Sequence, residues 1–271
     1  MTDLTLDRVS YRYLHGGTLA LEDVDLHIAA GERVALVGQN GSGKTTLVRH
    51  LNGLLRPTSG RVLHDGGDAA GRSVAQLARA VGLVFQDPDR QIFAGSVRGE
   101  AEFGPRNLGL SGGALRSAVD AALAEVGLEA DARTNPYDLG ASRRKLLALA
   151  SVQAMGTPVL VLDEPTTGQD LRGVEIVQRL VAGAHSAGRT VIAVSHDMEF
   201  VARSFDRVIV LRAGRVILDG TPSSVFAKAA WEELRSTYLE PPLPSVIGSR
   251  MGLGSTPTDE FLLTALTQAV G

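Results

Sequence analysis

The octapeptide Gly38-Gln39-Asn40-Gly41-Ser42-Gly43-Lys44-Thr45 matches G-x-x-x-x-G-K-[ST] in full, and no other stretch constrains the fold of this chain as tightly. It follows the apolar run Val34-Ala35-Leu36-Val37, which reads as a buried strand, and it precedes a segment from Thr45 to Leu54 that reads as a helix. Strand, glycine loop and helix in that order form an anion cradle. Glycines let successive backbone N–H groups curl around a triphosphate, and the helix directs the positive end of its dipole at it. Lys44 is expected to reach the β- and γ-phosphates, and the Thr45 hydroxyl to ligate Mg²⁺.

A magnesium–nucleotide site needs a carboxylate at the end of a neighbouring buried strand. Val159-Leu160-Val161-Leu162 ends in Asp163-Glu164. Asp163 is expected to hold the metal shell, and Glu164, one residue on, to polarise an attacking water as general base.

Around these motifs the chain alternates. Short β-favouring runs separated by turn residues occupy Leu4 to Val37, with a turn expected at His15-Gly16-Gly17. A second buried strand is expected at Val81–Phe85, and others at Val159–Leu162, Thr190–Ser195 and Val208–Leu211, with a helix over Leu171–Ala187. Between them, Pro88, Pro105 and glycine breaks separate helical stretches, notably Leu115–Val126 and Ser142–Met155, read as a helical insertion. A break follows at Glu240-Pro241-Pro242-Leu243-Pro244. Beyond it, Thr256-Pro257 would start a last helix with Phe261, Leu262, Ala265, Leu266 and Ala269 on one face, packed on its own domain or against another subunit. Strands alternating with helices imply a parallel sheet covered on both faces.

Composition excludes several classes. With 44% hydrophobic and 21% charged residues among 271, general disorder is excluded. A net charge of −3 argues against a whole-chain nucleic-acid footprint, and the absence of cysteine removes disulfide scaffolds and zinc–thiolate sites. The longest apolar stretch, Leu146 to Met155, is interrupted by Ser151 and Gln153 and falls short of the roughly 18 residues of a membrane span. Met1–Ser10 mixes charged and apolar residues without an apolar signal region.

The order of motifs resembles that of the ATP-binding cassette (ABC) ATPases. Asp163-Glu164-Pro165-Thr166 is similar to their acidic motif, and Thr167-Gly168-Gln169-Asp170 lies where their subunit-contacting D-loop, here with Asp170, is found. His196, in Val194-Ser195-His196-Asp197, resembles the switch histidine that contacts the γ-phosphate. Gln86, after the Val81–Phe85 strand, resembles the Q-loop glutamine that senses Mg²⁺ and water. Tyr13, with Tyr11 as the competing choice, resembles the aromatic that stacks on adenine. The resemblance therefore implies ATP and Mg²⁺, bound by Tyr13, Gly38, Gln39, Asn40, Gly41, Ser42, Gly43, Lys44, Thr45 and Thr46. Glu164, His196 and Gln86 would be catalytic, and Thr45, Gln86 and Asp163 would face the metal. His15, His27, His50, His64 and His185 have no such context.

The implied fold class is α/β: a P-loop ATPase core with a parallel sheet, an N-terminal antiparallel β subdomain, a helical insertion and a small C-terminal extension. The expected divisions are 1–86 and 156–225 for the core, 87–155 for the helical subdomain and 226–271 for an extension that serves dimerisation. ABC ATPases act in pairs, each ATP lying between one phosphate loop and the partner's signature Leu-Ser-Gly-Gly-Gln. Here the equivalent is Leu139-Gly140-Ala141-Ser142-Arg143, departing at four of five positions. The expected hydroxyl is missing at Gly140, Ala141 restricts the backbone, Ser142 would supply a displaced hydroxyl, and Arg143 would add positive charge near the partner's γ-phosphate. An asymmetric heterodimer is therefore favoured over a homodimer.

The segments Phe85–Phe93 and Glu102–Leu110 resemble the Q-loop region of ATPase subunits from energy-coupling factor importers, which take up vitamins or the transition metals cobalt and nickel. The implied partners are a second ABC ATPase subunit, a transmembrane coupling subunit and a substrate-binding membrane subunit, with no nucleic acid, at the cytoplasmic face of the cell membrane. Asp87–Leu110 would form the groove for coupling helices, with Ile92 and Phe93 either as its apolar lining or buried beneath the helical insertion. The alternatives are a soluble non-transport ABC ATPase acting on ribosomes or DNA, and an ATP-binding switch subunit with low turnover.

Overall fold

The computed structural model describes residues 2–13, 17 and 19–270. His15 and Gly16 of the expected N-terminal turn lie outside the described residues; Gly17 adopts φ +67°.

Among the described residues ten strands form two sheets. β1 (Leu4–Arg12), β2 (Leu19–Ile28), β4 (Ser59–His64) and β5 (Gly67–Asp68) make an antiparallel sheet in the order β2-β1-β4-β5. The second sheet runs β10-β9-β3-β8-β7-β6, built from β3 (Arg33–Val37), β6 (Val81–Val84), β7 (Val159–Asp163), β8 (Thr190–Val194), β9 (Arg207–Arg212) and β10 (Arg215–Gly220). All its pairings are parallel except the β9–β10 hairpin.

The central strands read as unbroken apolar runs because both their faces are covered. Side chains alternate across a strand, so Ala35, Leu160, Leu162, Val191 and Ala193 join one apolar cluster. Val34, Leu36, Val159, Val161, Ile192 and Val194 join the other, which fills the space towards the antiparallel sheet.

Among the described residues eleven α-helices accompany these layers: α1 (Lys44–Leu51), α2 (Val74–Leu77), α3 (Val97–Asn107), α4 (Gly112–Glu125), α5 (Ala141–Gln153), α6 (Leu171–Ser186), α7 (Met198–Ser204), α8 (Pro222–Val225), α9 (Trp231–Arg235), α10 (Leu243–Arg250) and α11 (Asp259–Val270). Among the described residues no helix is long and apolar enough to cross a membrane. In α6 the buried residues Ile176, Val177, Leu180, Val181 and Ala184 repeat at helical spacing and form one stripe. Asp170 starts this helix by accepting the Gly173 N–H at 2.8 Å. α3, α4 and α5 pack on one another between β6 and β7, where the helical insertion is expected.

Three local readings are corrected. The helix after the glycine loop stops at Leu51 rather than Leu54, because Asn52 caps it and Gly53 turns away at φ +74°. The prolines at 241–244 are not only a break: Pro242 precedes α10 and Pro244 sits in its first turn, where a missing N–H costs nothing. α11 begins at Asp259 rather than Thr256, since Thr256 is buried and donates its hydroxyl to Pro244 O at 2.7 Å. Of the apolar face expected there, Leu262, Ala265 and Leu266 are half-buried, while Phe261 and Ala269 are exposed.

The topology fixes where chemistry gathers. Leu36 of β3 and Asp163 of β7 both register with Val194 of β8, and Val84 of β6 registers with Leu162. The carboxyl ends of four neighbouring parallel strands therefore lie side by side. Ligands in open α/β sheets bind at that edge.

Candidate functional site

The loop between β3 and α1 turns at Gly38, Gly41 and Gly43, all with positive φ (145°, 80° and 106°). At Gly43 a Cβ would stand 2.5 Å from Ala20 O, so only glycine lets the start of α1 approach β2 this closely. Lys44 is buried, and its Nζ donates to Gly38 O at 2.6 Å and Gln39 O at 2.9 Å. Burial pushes its pKa down, with the carboxylates of Glu164 and Asp163 pulling the other way.

The end of β7 delivers Asp163, buried, with Oδ1 accepting from Thr45 Oγ1 at 3.3 Å. Burial raises its pKa, and the Thr45 hydrogen bond opposes the rise. A buried carboxylate beside a hydroxyl supplies two hard oxygen donors, the set that suits Mg²⁺ when phosphate oxygens and water complete the shell. Among the described residues no group of three or more His, Cys, Asp or Glu gathers as a metal site of its own, so such a site would depend on the nucleotide.

Glu164 follows with φ +52°, an uncommon conformation for a non-glycine residue. Its N–H donates to Val194 O at 2.9 Å. Its Oε2 accepts from Thr167 Oγ1 at 3.3 Å and lies 2.8 Å from His196 Nδ1, just past the end of β8. The carboxylate is buried while the imidazole is more than half exposed, so the pair spans from the interior to the cleft. Exposed Gln86, just past β6, lines the same cleft.

Tyr13 and Tyr11 separate clearly. The Tyr13 hydroxyl lies 3.0 Å from Thr46 Oγ1, and the ring is 43% exposed beside the glycine loop. Tyr11 packs edge-on against His50 and Tyr13, at 4.9 Å in each case. Tyr13, Asn40, Gly41, Ser42, Gly43, Lys44, Thr45, Thr46, Gln86 and Glu164 all border one cavity of about 290 Å³. Gly38, Gln39 and His196 border the adjoining cleft, whose far wall is the segment Thr237–Leu243.

The signature segment opens α5, with Gly140 as its N-cap and no side-chain cap. Ser142 and Arg143 turn to their own chain. Ser142 Oγ donates to Gln169 Oε1 at 2.7 Å, and the Arg143 guanidinium pairs with Asp131. Exposed Gly140 and Ala141 leave the helix start open.

The expected groove is only partly as read. Ile92 is buried in the core, its carbonyl accepting from Tyr137 OH at 3.0 Å, so it is not groove lining. Phe93 is 60% exposed and meets Phe103 edge-to-face at 4.6 Å. With Phe85, Leu108 and Met155 they line an apolar cavity of about 520 Å³. Two residues given no role from the sequence organise this region, and a third, Lys145, stands apart from it. Gln91 accepts from Phe85 N and donates to Ala148 O and Ser151 Oγ, and buried Glu100 accepts from Phe93 N and Ala94 N. Lys145 is a buried cation in α5, with the signal of one charge inside the run Lys145–Ala150, buried throughout.

A glycine loop after one parallel strand, a buried Asp-Glu pair ending the next but one, and a histidine after the strand between them define a P-loop ATPase. The chain belongs to the ABC transporter family, whose family model matches residues 21–167.

It is 41% identical over 254 residues to the energy-coupling factor transporter ATP-binding protein EcfA2 of Symbiobacterium thermophilum, covering 92% of this chain and 88% of that one. It is 42% identical over 240 residues to an ABC transporter ATP-binding protein of Methanosarcina acetivorans, covering 89% of this chain but spanning only 39% of that longer relative. Among solved structures, cbiO1 of Clostridium perfringens, part of the ABC transporter complex cbiONQ, superposes with a TM-score of 0.75 at 36% identity, covering 92% of this chain and 98% of that one.

Proposed function

We propose that this chain is the ATP-hydrolysing subunit of an energy-coupling factor type importer for a vitamin or transition metal. The observation that carries it is the Glu164–His196 pair beside the glycine loop, in a chain whose relatives include the EcfA2 protein and the cbiO1 structure. Tyr13 stacks on adenine, and the loop from Gly38 to Thr46 wraps the phosphates. Lys44 exchanges the carbonyls of Gly38 and Gln39 for phosphate oxygens, a trade from neutral to charge-assisted bonds. Thr45, Asp163 and Gln86 would hold Mg²⁺, which when bound neutralises charge on the transferring phosphoryl group. Glu164 orients the attacking water and takes its proton, with His196 at the γ-phosphate.

The working unit is a pair of cassettes at the cytoplasmic face of the membrane, joined to a transmembrane coupling subunit and a substrate-binding subunit. The groove of Phe85, Phe93 and Phe103 receives the coupling helices. Closure on two ATPs and opening after hydrolysis supply the stroke. A heterodimer is favoured because Ser142 and Arg143, the groups that would compensate for the altered signature, are engaged within their own chain.

The test is twofold. A tagged chain isolated in detergent should bring membrane subunits and a second ATPase with it, and not nucleic acid. In that complex, Lys44→Ala should weaken ATP binding roughly tenfold to a hundredfold, the worth of a lost charge-assisted bond. Unchanged ATP affinity and unchanged uptake would remove the proposal.

The extension 226–271 contributes to pairing. On α10 and its C-cap, Leu243, Ile247 and Met251 recur every four residues and are 62%, 37% and 57% exposed, an apolar stripe whose first member, Leu243, borders the nucleotide cleft. Ile247→Asp should weaken association of the two ATPase subunits by roughly tenfold or more, because a carboxylate is then buried without a partner. ATP binding by the single chain should be unaffected; unchanged association in ultracentrifugation would rule out this role.

A further inference from the structure

The start of α5 is fastened to the loop after β7 at two points. Ser142 Oγ donates to Gln169 Oε1, and Gln169 Nε2 donates back to Ser142 O at 3.1 Å. One turn further on, Lys145 is only 5% exposed, and its Nζ donates to Glu164 O at 2.5 Å and Thr167 O at 2.9 Å. An ammonium taken out of water is costly unless its protons find acceptors. Burial accordingly pushes the Lys145 pKa down, with Glu164 and Asp163 as the leading opposing charges.

Its two acceptors bracket one short turn. That turn carries Glu164, whose backbone sits at φ +52°, a strained conformation for an L-residue that is kept only where the surroundings fix it. The Glu164 N–H is fixed by Val194 O, and its carbonyl is fixed by Lys145. With both peptide groups held, the carboxylate is aimed at His196 Nδ1. Thr167, whose carbonyl takes the second Lys145 bond, also donates its hydroxyl to the same carboxylate.

We infer that Lys145 is a positioning residue for hydrolysis: its ammonium clamps the Glu164–Thr167 turn and holds Glu164 in its strained pose, with the carboxylate against His196. The inference rests on the reading of Glu164 as the base. Lys145 touches no reacting atom; it acts through the backbone that carries the one that does. Because Gly140 caps the same helix, the clamp ties the segment facing a partner's ATP to the base facing this chain's own.

The experiment uses the full chain in its purified complex, with Lys145→Met, Lys145→Gln and Glu164→Gln made in parallel. Methionine keeps the packing and removes every donor; glutamine restores an amide NH₂ donor group without the charge. Lys145→Met should lower kcat roughly tenfold to a hundredfold while the KM for ATP stays within about twofold. Lys145→Gln should recover part of that loss. The double variant Lys145→Met with Glu164→Gln should be no slower than Glu164→Gln alone, since a group acting through Glu164 has nothing left to position. The inference is overturned if Lys145→Met keeps kcat within about twofold, if kcat and ATP affinity fall together, if glutamine recovers nothing, or if the two substitutions multiply. Full activity in Glu164→Gln would instead remove the base assignment itself, whereas an inactive Glu164→Gln beside a fully active Lys145→Met removes only the clamp.

Discussion

ATP turnover by the assembled complex should fall roughly 10²–10⁴-fold when Glu164 is replaced by Gln, while ATP remains bound. The substitution keeps the shape and removes the basic oxygens. Glu164 Oε2 lies 2.8 Å from His196 Nδ1, so the variant loses both the proton acceptor and the charge that orients the imidazole. The phosphate contacts of Lys44 and the loop are untouched, so the ground state is held about as tightly as before and the loss is in kcat. A complex that binds two ATPs and cannot cleave them should also accumulate in the closed form, visible as a slower dissociation of its ATPase subunits. Should Glu164→Gln leave turnover and uptake intact, Glu164 is not the base.

What was legible in the sequence depends on how local the signal is. The glycine loop announces itself because every residue of it is constrained by one anion. The buried strands announce themselves as apolar runs, and Asp163-Glu164 gains meaning only from following one. By contrast, β4 (Ser-Gly-Arg-Val-Leu-His) has buried residues only at Val62 and His64, so its pattern is too sparse to read without its antiparallel partner. Ile92 and Phe93 are adjacent and equally apolar, yet one is core and the other exposed; the choice is made by Tyr137 and Glu100, whose chain positions give no hint of contact. The same holds for Ser142 and Arg143, which spacing alone leaves free for a partner and which Gln169 and Asp131 engage in this chain. Lys145 was hidden for a different reason: a lysine in a helix is usually solvated, and only the loop folded over it reveals that it is enclosed.

Gly38→Ala should damage both folding and nucleotide binding, and by more than Gly41→Ala. Both glycines have positive φ, so each substitution carries a conformational cost of about 1–3 kcal/mol. Their surroundings differ. A Cβ at Gly41 meets nothing within 4 Å, whereas at Gly38 it would stand 2.2 Å from Leu211 O and 2.8 Å from Ser42 Oγ. Leu211 O is backbone of β9, which is hydrogen-bonded in register to β3 through Val37 and Val210, so it has no flexible side chain to move aside. Either the β3–β9 pairing shifts or the loop retreats from the position in which Gly38 O meets Lys44 Nζ. Overpacking of this kind adds about 1–3 kcal/mol, for a total near 2–6 kcal/mol. At roughly 2–4 °C per kcal/mol for a chain of this size, Gly38→Ala should lower Tm by about 5–20 °C and abolish measurable ATP binding, with Gly41→Ala losing less on both counts. Equal Tm values for the two variants would mean that the close approach of the phosphate loop to β9 is not what makes glycine necessary at position 38.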